Sequence, residues 1–153
     1  MKRARFASIT FVIFAAIATV AGCGAARQAD TLGESVQHYN DSVRWGRFEM
    51  AAGHIPASQR AQRMDEWDER ANDVKITDYE VVNMVPRGER EARVQIKVSW
   101  YKGSEGTVHE THAVQTWERH GKDWLMVDES RVRGSEMPGL PEHATAAEAT
   151  AKD

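Results

Sequence analysis

Cysteine is nearly absent from this chain: Cys23 is the only one in 153 residues. One cysteine cannot close a disulfide within its own chain, so no disulfide framework holds the fold. The sequence also lacks a glycine-rich phosphate loop, a G-x-S-x-G nucleophile elbow and an H-E-x-x-H pair. These absences remove the phosphate-loop, serine-hydrolase and zinc-protease readings that such motifs would carry. Positive charge is in short supply, with 20 Lys plus Arg against 23 Asp plus Glu and a net charge of −3.

What is present begins at the N-terminus. Lys2, Arg3 and Arg5 precede an uncharged apolar run, Phe6 to Gly22, that ends in small residues. A basic start, an apolar stretch and small residues before a cut site make a secretory signal. The run ends Val20-Ala21-Gly22-Cys23, which resembles the lipobox of bacterial lipoproteins. The resemblance implies cleavage between Gly22 and Cys23, a diacylglycerol on the Cys23 thiol, and acylation of the new amino group. A thiol is a good nucleophile for that attachment, and two or three acyl chains at about 0.8 kcal/mol per buried methylene anchor stably. Two simpler readings compete. A run of this length is at the short limit for an uncleaved spanning helix, and a plain secretory signal could hold a cysteine by coincidence. Gly24 and Ala25, in place of an aspartate after the cysteine, imply by the same resemblance an outer-membrane lipoprotein facing the periplasm.

Loss of residues 1–22 removes three bases and no acid, leaving 17 of the 20 Lys plus Arg against 23 Asp plus Glu, or about −6. That surplus argues against nucleic acid as a partner. The remaining length suits one domain with one core.

The sequence divides into a signal (1–22), the acylated cysteine with a short polar tether (23–30), a compact unit (31–133) and a disordered tail (134–153). The tail holds two prolines, many small residues and no repeating apolar face. Thr31-x-x-Glu34 has the form of a capping box and predicts a helix from Leu32. Leu32, Val36, Tyr39, Val43 and Met50 make one stripe, with Gly46 in the gap, while Trp45, Phe48 and Ala52 lie opposite. Gly53 stops this helix. Pro56 starts a second, with Met64, Trp67 and Ala71 inward, that ends at Asn72-Asp73. From Val74 the apolar period becomes two. A register change from Val74 and Ile76 to Tyr79 and Val81 predicts a bulge near Asp78-Tyr79. Ala92, Val94, Ile96, Val98 and Trp100 alternate with Arg93, Gln95, Lys97 and Ser99 in the clearest strand. Two more strands follow, "TVHETHAVQTWER" and "WLMVDES", each after a short turn.

The fold class is therefore α+β: two N-terminal helices packed on a curved four-stranded antiparallel sheet. That order, the aromatic-bearing helix "YNDSVRWGRFEMAAGHI", the strand start "ITDYEV" and the closing hairpin "QTWERHGKDWLMV" resemble the NTF2-like, or cystatin-like cone, superfamily. The likeness covers about Leu32 to Val132. It implies a cone that can hold a pocket, and two copies that pair through their sheets.

Some members of that superfamily move protons with a carboxylate and a tyrosine or aspartate donor. By this resemblance Asp78 and Tyr79 are the catalytic candidates, with Tyr101, Glu110 and His112 as partners, in an isomerase- or hydratase-like reaction. Adjacent residues of a regular strand face opposite ways, so Asp78 and Tyr79 converge only if the bulge re-aims one. His109 and His112, three apart in a strand, do not share an ion, and His38, His54, His120 and His143 are scattered. No metal and no cofactor are expected. The five tryptophans, Trp45, Trp67, Trp100, Trp117 and Trp124, read first as core; one or two could line a concave site for a small apolar ligand. The polar stripe of Arg93, Gln95, Lys97 and Ser99 reads as a solvated face or a docking surface. The overall reading is a membrane-tethered envelope lipoprotein that works as a non-catalytic binding or scaffold module. Its partner is an envelope protein or a small apolar ligand.

Overall fold

In the computed structural model the described residues are 26–143, with side chains from Leu32 onward. The signal run, Cys23 and residues 144–153 lie outside them. Among the described residues no helix is long and apolar enough to cross a membrane.

Three helices precede four strands: α1 (Ala26–Arg44), α2 (Phe48–Ala52), α3 (Arg60–Ala71), then β1 (Val74–Arg87), β2 (Glu91–Lys102), β3 (Val108–His120) and β4 (Asp123–Gly134). The strands pair in sequence order as an antiparallel meander. The outer strands each carry two register shifts. Thr77 and Val82 are the extra residues of β1, and Val127 and Val132 those of β4. A bulge bends its strand and strengthens the local twist, so both sides of the sheet curl around the helices. Each bulge also resets alternation. Ile76 and Tyr79, three apart, both pack on the core, as do Val81 against it and Val74 within it.

The core lies between the helices and the concave face. Val36, Tyr39, Ala51, Ile55 and Trp67 meet the unbroken alternation of β2, in which Ala92, Val94, Ile96, Val98 and Trp100 are all buried. Trp117 and Met126, both wholly buried, close it from β3 and β4. Tyr39 stands edge-on to Trp117 at 5.7 Å between ring centroids, and Phe48 stacks on Trp67 at 5.6 Å.

The helices differ from expectation in three ways. First, α1 begins at Ala26, before Leu32. Ala26, Arg27, Gln28 and Ala29 are good helix formers, so the tether expected through Asp30 is helical from Ala26. Second, the helix expected to reach Gly53 breaks at Gly46, whose φ of 66° lies in the left-handed region. The Gly46 amide donates to the Val43 carbonyl and the Arg47 amide to the Ser42 carbonyl, the paired bonds of a Schellman stop. The break turns the chain, so Ala51 and Ala52 are buried while Met50 is 44% exposed and Trp45 65% exposed. The expectation that Met50 continues the buried stripe is thereby corrected. Third, α3 opens at Arg60, because Pro56 to Gln59 form a separate turn closed by the Gln59 amide on the Pro56 carbonyl.

The tail expected to be disordered from Gly134 is ordered through His143. It crosses the open end of the cone, burying Met137 and packing Leu140 against the core. It then returns to the free edge of β4, where the Arg131 amide donates to the Pro141 carbonyl and the His143 amide to the Arg131 carbonyl. Backbone hydrogen bonds and two apolar anchors hold a segment that shows no periodicity of its own.

Candidate functional site

The concave side of the sheet holds a cluster of buried polar groups. α1 supplies Tyr39 and Asn40 on its inward face. β3 supplies Gln115, between inward-facing Ala113 and Trp117. β4 supplies Glu129, which faces inward with Met126 because the extra residue Val127 lies between them. The Gln115 amide donates to Asn40 Oδ1 at 2.9 Å and to Glu129 Oε1 at 2.7 Å, and its oxygen accepts from Trp117 Nε1 at 3.2 Å. Asn40 Nδ2 donates to the Val36 carbonyl at 2.8 Å, and the Tyr39 hydroxyl donates to Glu129 Oε2 at 3.4 Å. Burial, and then the Glu129 charge, push the Tyr39 phenol well above its usual pKa, against the lowering pull of Arg63 and Arg70. Tyr39 therefore stays a protonated donor.

This cluster could polarise a ligand only if a ligand could reach it. The space among Tyr39, Asn40, Ile96, Glu129, Met137 and Leu140 is about 30 Å³, roughly the share of one water in the liquid. Met137 and Leu140 occupy the mouth. Their segment is fixed at its start by the Ser135 amide on the Glu110 carbonyl and by the Thr111 hydroxyl on the Ser135 carbonyl. The Thr111 hydroxyl in turn accepts from Trp100 Nε1 at 2.8 Å. The polar groups are satisfied by one another, as buried polar groups must be. They specify the packing of α1 on the sheet.

The five residues expected as catalytic candidates are not brought together. Asp78 is 68% exposed at its side chain and pairs with Arg44 at 3.1 Å. Tyr79 faces the core side and donates to the Gln37 carbonyl at 3.3 Å; burial, then Asp41, raise its pKa. The bulge falls at Thr77, one residue too early to turn Asp78 and Tyr79 the same way. Glu110 and His112 meet at 3.1 Å on the outer, exposed face. Asp78 and Glu110 both stand opposite Ser99, on either side of it, which separates them by about 10 Å. Tyr101 lies at the far end of β2, opposite Val108. The outer face is laced with charge pairs, Glu80 with Lys97 at 2.6 Å among them.

His109 stacks on Trp100 at 4.6 Å, away from His112. Two histidines read as scattered do meet: His38 Nδ1 and His54 Nε2 are 2.8 Å apart. Among the described residues no three His, Cys, Asp or Glu side chains are grouped to hold a metal ion.

A second hollow was not expected. It opens where α1 breaks, between Gly46, α3 and the start of β1, with a volume of about 230 Å³. Phe48, Trp67, Val74 and Ile76 form its apolar wall, and Arg44, Trp45, Arg70 and Lys75 its rim. The sequence signal for it was Gly46 itself, beside an aromatic pair that a continuous helix would have had to cover on both sides.

The class these elements define is an α+β, NTF2-like fold, with helices preceding a four-stranded antiparallel sheet. Solved structures share it. A putative Ca/calmodulin-dependent kinase II association domain from Exiguobacterium sibiricum matches with a TM-score of 0.59 and 12% identity, over 75% of this chain and 98% of that one. A ketosteroid isomerase-like protein from Erwinia carotovora atroseptica matches with a TM-score of 0.56 and 9% identity, over 68% of this chain and 95% of that one. A SEC-C motif containing protein from Rhodopseudomonas palustris matches with a TM-score of 0.54 and 12% identity, over 61% and 73%. No protein-family model and no curated protein matches the sequence. At these identities the likeness is one of fold.

Proposed function

We propose that this chain is an envelope lipoprotein, acylated on Cys23, whose NTF2-like domain is a non-catalytic binding or scaffold module on the periplasmic side of the outer membrane. One observation carries the non-catalytic part: the cone interior is filled by Met137 and Leu140, and its polar groups are satisfied internally. General acid–base catalysis needs a donor or acceptor within hydrogen-bond reach of a substrate atom, and a space of one water admits no substrate. The anchor rests on Val20-Ala21-Gly22-Cys23 after a basic, then apolar, N-terminus. Because α1 starts at Ala26, three residue steps separate it from Cys23, a reach of about 11 Å. An acylated Cys23 would hold the domain against the membrane surface.

Intact-mass analysis of protein purified from membranes tests the anchor. The expected species begins at Cys23 and carries acyl chains, and Cys23→Ala abolishes it. A chain that keeps residues 1–22, or one cleaved without lipid, would refute acylation and leave a helix-anchored or freely secreted protein. Crosslinking of the acylated form in the envelope would then identify a protein partner by loss of the adduct in the unanchored variant.

A further inference from the structure

The hollow at Gly46 departs from the chemistry of the rest of the chain. Acids outnumber bases overall, 23 to 20, yet Arg44, Arg70 and Lys75 line this hollow and no carboxylate does. α3 carries Asp65, Asp68 and Glu69, all exposed and none in the lining. Arg44 is already engaged, by Asp78 at 3.1 Å and by the Trp45 ring 5.1 Å away. Arg70 and Lys75 make no ion pair among the described residues. Lys75 gives one hydrogen bond, to the Ala71 carbonyl at the end of α3, and its ammonium has two further protons to donate.

Between these cations lies an apolar wall, with Trp67 and Val74 buried in its floor and Phe48 and Ile76 half-buried at its surface. Phe48 is packed flat on Trp67, and Trp45 stands 65% exposed at the rim. Large exposed aromatics beside a concave apolar surface are the usual furniture of a ligand site, and a few polar groups then set orientation. The backbone conformation of Gly46 keeps the shape: at φ 66° a side chain would be strained, so the turn that separates Trp45 from Phe48 is built in.

We infer that the Gly46 hollow binds a small organic anion, a compact apolar body bearing one carboxylate or similar group, with Arg70 and Lys75 on the charge and Phe48, Ile76 and Trp45 on the body. A volume of about 230 Å³ holds roughly eight waters' worth of ligand, which sets an upper size near a phenyl ring with a short acid arm. The inference rests on the binding-module reading and names its ligand class. A free solute fits better than a lipid headgroup, because α1 runs 19 residues from Ala26 to Arg44. That places the hollow about 28 Å along the helix from the end that would carry the acyl chains.

The test compares phenylacetate with phenylacetamide, near-isosteres that differ in charge, by calorimetric titration of the full chain purified from membranes. Phenylacetate is expected to bind saturably, one to one, and at least about tenfold tighter than the amide, as an ion-assisted hydrogen bond provides. Lys75→Gln and Arg70→Gln are each expected to weaken phenylacetate about tenfold, and Trp45→Ala to weaken both compounds. Arg119→Gln, at the far hairpin, leaves binding unchanged. Lys75 is exposed, so Lys75→Gln keeps the test sound if Arg70→Gln disturbs packing near Tyr39. Equal binding of acid and amide, retention of affinity in Lys75→Gln, or no saturable binding up to about 10 mM would overturn the inference. Acylation is read separately by mass, so loss of ligand binding leaves the anchor standing, and an unacylated chain that still binds phenylacetate leaves the hollow standing.

Discussion

Two hollows meet at Arg70, which borders both, and the chain treats them oppositely. In the cone, the polar groups of Asn40, Gln115 and Glu129 pair with one another and Met137 and Leu140 fill the remaining space. At the Gly46 break, Phe48 and Ile76 are only half-buried, and Arg70 and Lys75 make no ion pair among the described residues. A hollow whose needs are met from within the chain contributes to folding. One whose needs are unmet can contribute to recognition. The fold likeness draws attention to the cone, but among the described residues the cations without acid partners stand at its shoulder.

Within the Gly46 hollow itself, the buried floor and the open rim differ most in their tryptophans. Trp67 is 2% exposed and packs on both Tyr39 and Phe48, whereas Trp45 is 65% exposed. Trp67→Ala is expected to cost about 3–5 kcal/mol, the range for deleting a buried large aromatic. Trp45→Ala is expected to cost less than about 1 kcal/mol, the scale of its exposed cation–π contact with Arg44. Urea denaturation of both variants checks the pair. A loss at Trp45 comparable to that at Trp67 would mean that the shoulder is structural, and the comparison would fail.

The next test turns one hollow into the other. Gly134, with φ 88°, is where β4 hands over to the segment that fills the cone, and a Cβ there would stand 2.5 Å from the Glu110 carbonyl oxygen and 3.1 Å from Thr111 Cα. These are backbone atoms and cannot swing aside. Gly134→Ala is expected to cost about 1–3 kcal/mol, as strain in a disfavoured backbone region does, and to loosen Ser135 from Glu110. Protease cleavage between Ser135 and His143, and binding of an apolar dye to the cone, should both rise. A variant as protected as the parent would show that the tail holds the cone without help from its first bonds.

How far the sequence carried this depends on whether a feature is periodic. The alternation of Ala92 to Trp100 and the shift from Ile76 to Tyr79 are properties of neighbours a few residues apart, and both are in the sheet as read. Gly46 was legible as a residue but not as a turn, because a glycine inside an apolar stripe is tolerated in a helix and only the Schellman bonds from Arg47 and Gly46 decide against it. The cone cluster joins residues up to 90 apart. One signal for it was present: Gln115 sits at an inward position between Ala113 and Trp117, where an apolar residue belongs, and a buried amide must find partners. Glu129 gave none, since strict alternation from Met126 turns it outward and only the extra Val127 turns it in. Met137 and Leu140 had no period to betray them.

The smallest expected effect distinguishes the two regions by proton. His54 lies on the cone side, its ring 6.4 Å from that of Trp117 and its carbonyl accepting the Met126 amide at 2.7 Å. Around it stand His38 from α1 and Lys122, Asp123 and the Trp124 backbone from the last hairpin, with Glu34 and Asp41 lining the same surface depression. Burial first, then the neighbouring His38, lower its pKa from the ordinary 6.5, while the Trp124 backbone and Asp123 oppose them. The folded chain therefore binds this proton less readily than the unfolded one. Well above pH 6.5 both forms are neutral at His54 and stability is unaffected; as pH falls through that value the unfolded state gains protons first, and stability declines until the folded pKa is passed. Thermal denaturation at stepped pH should show Tm falling by a few degrees across this window, and His54→Gln should remove that part of the slope. Phenylacetate binding at the Gly46 hollow, where no histidine lies in the lining, should hold constant over the same steps once compared below the melting range. A slope unchanged in His54→Gln would mean that the proton acts elsewhere, and a ligand affinity that followed the slope would mean that the His54 depression and the Gly46 hollow are coupled.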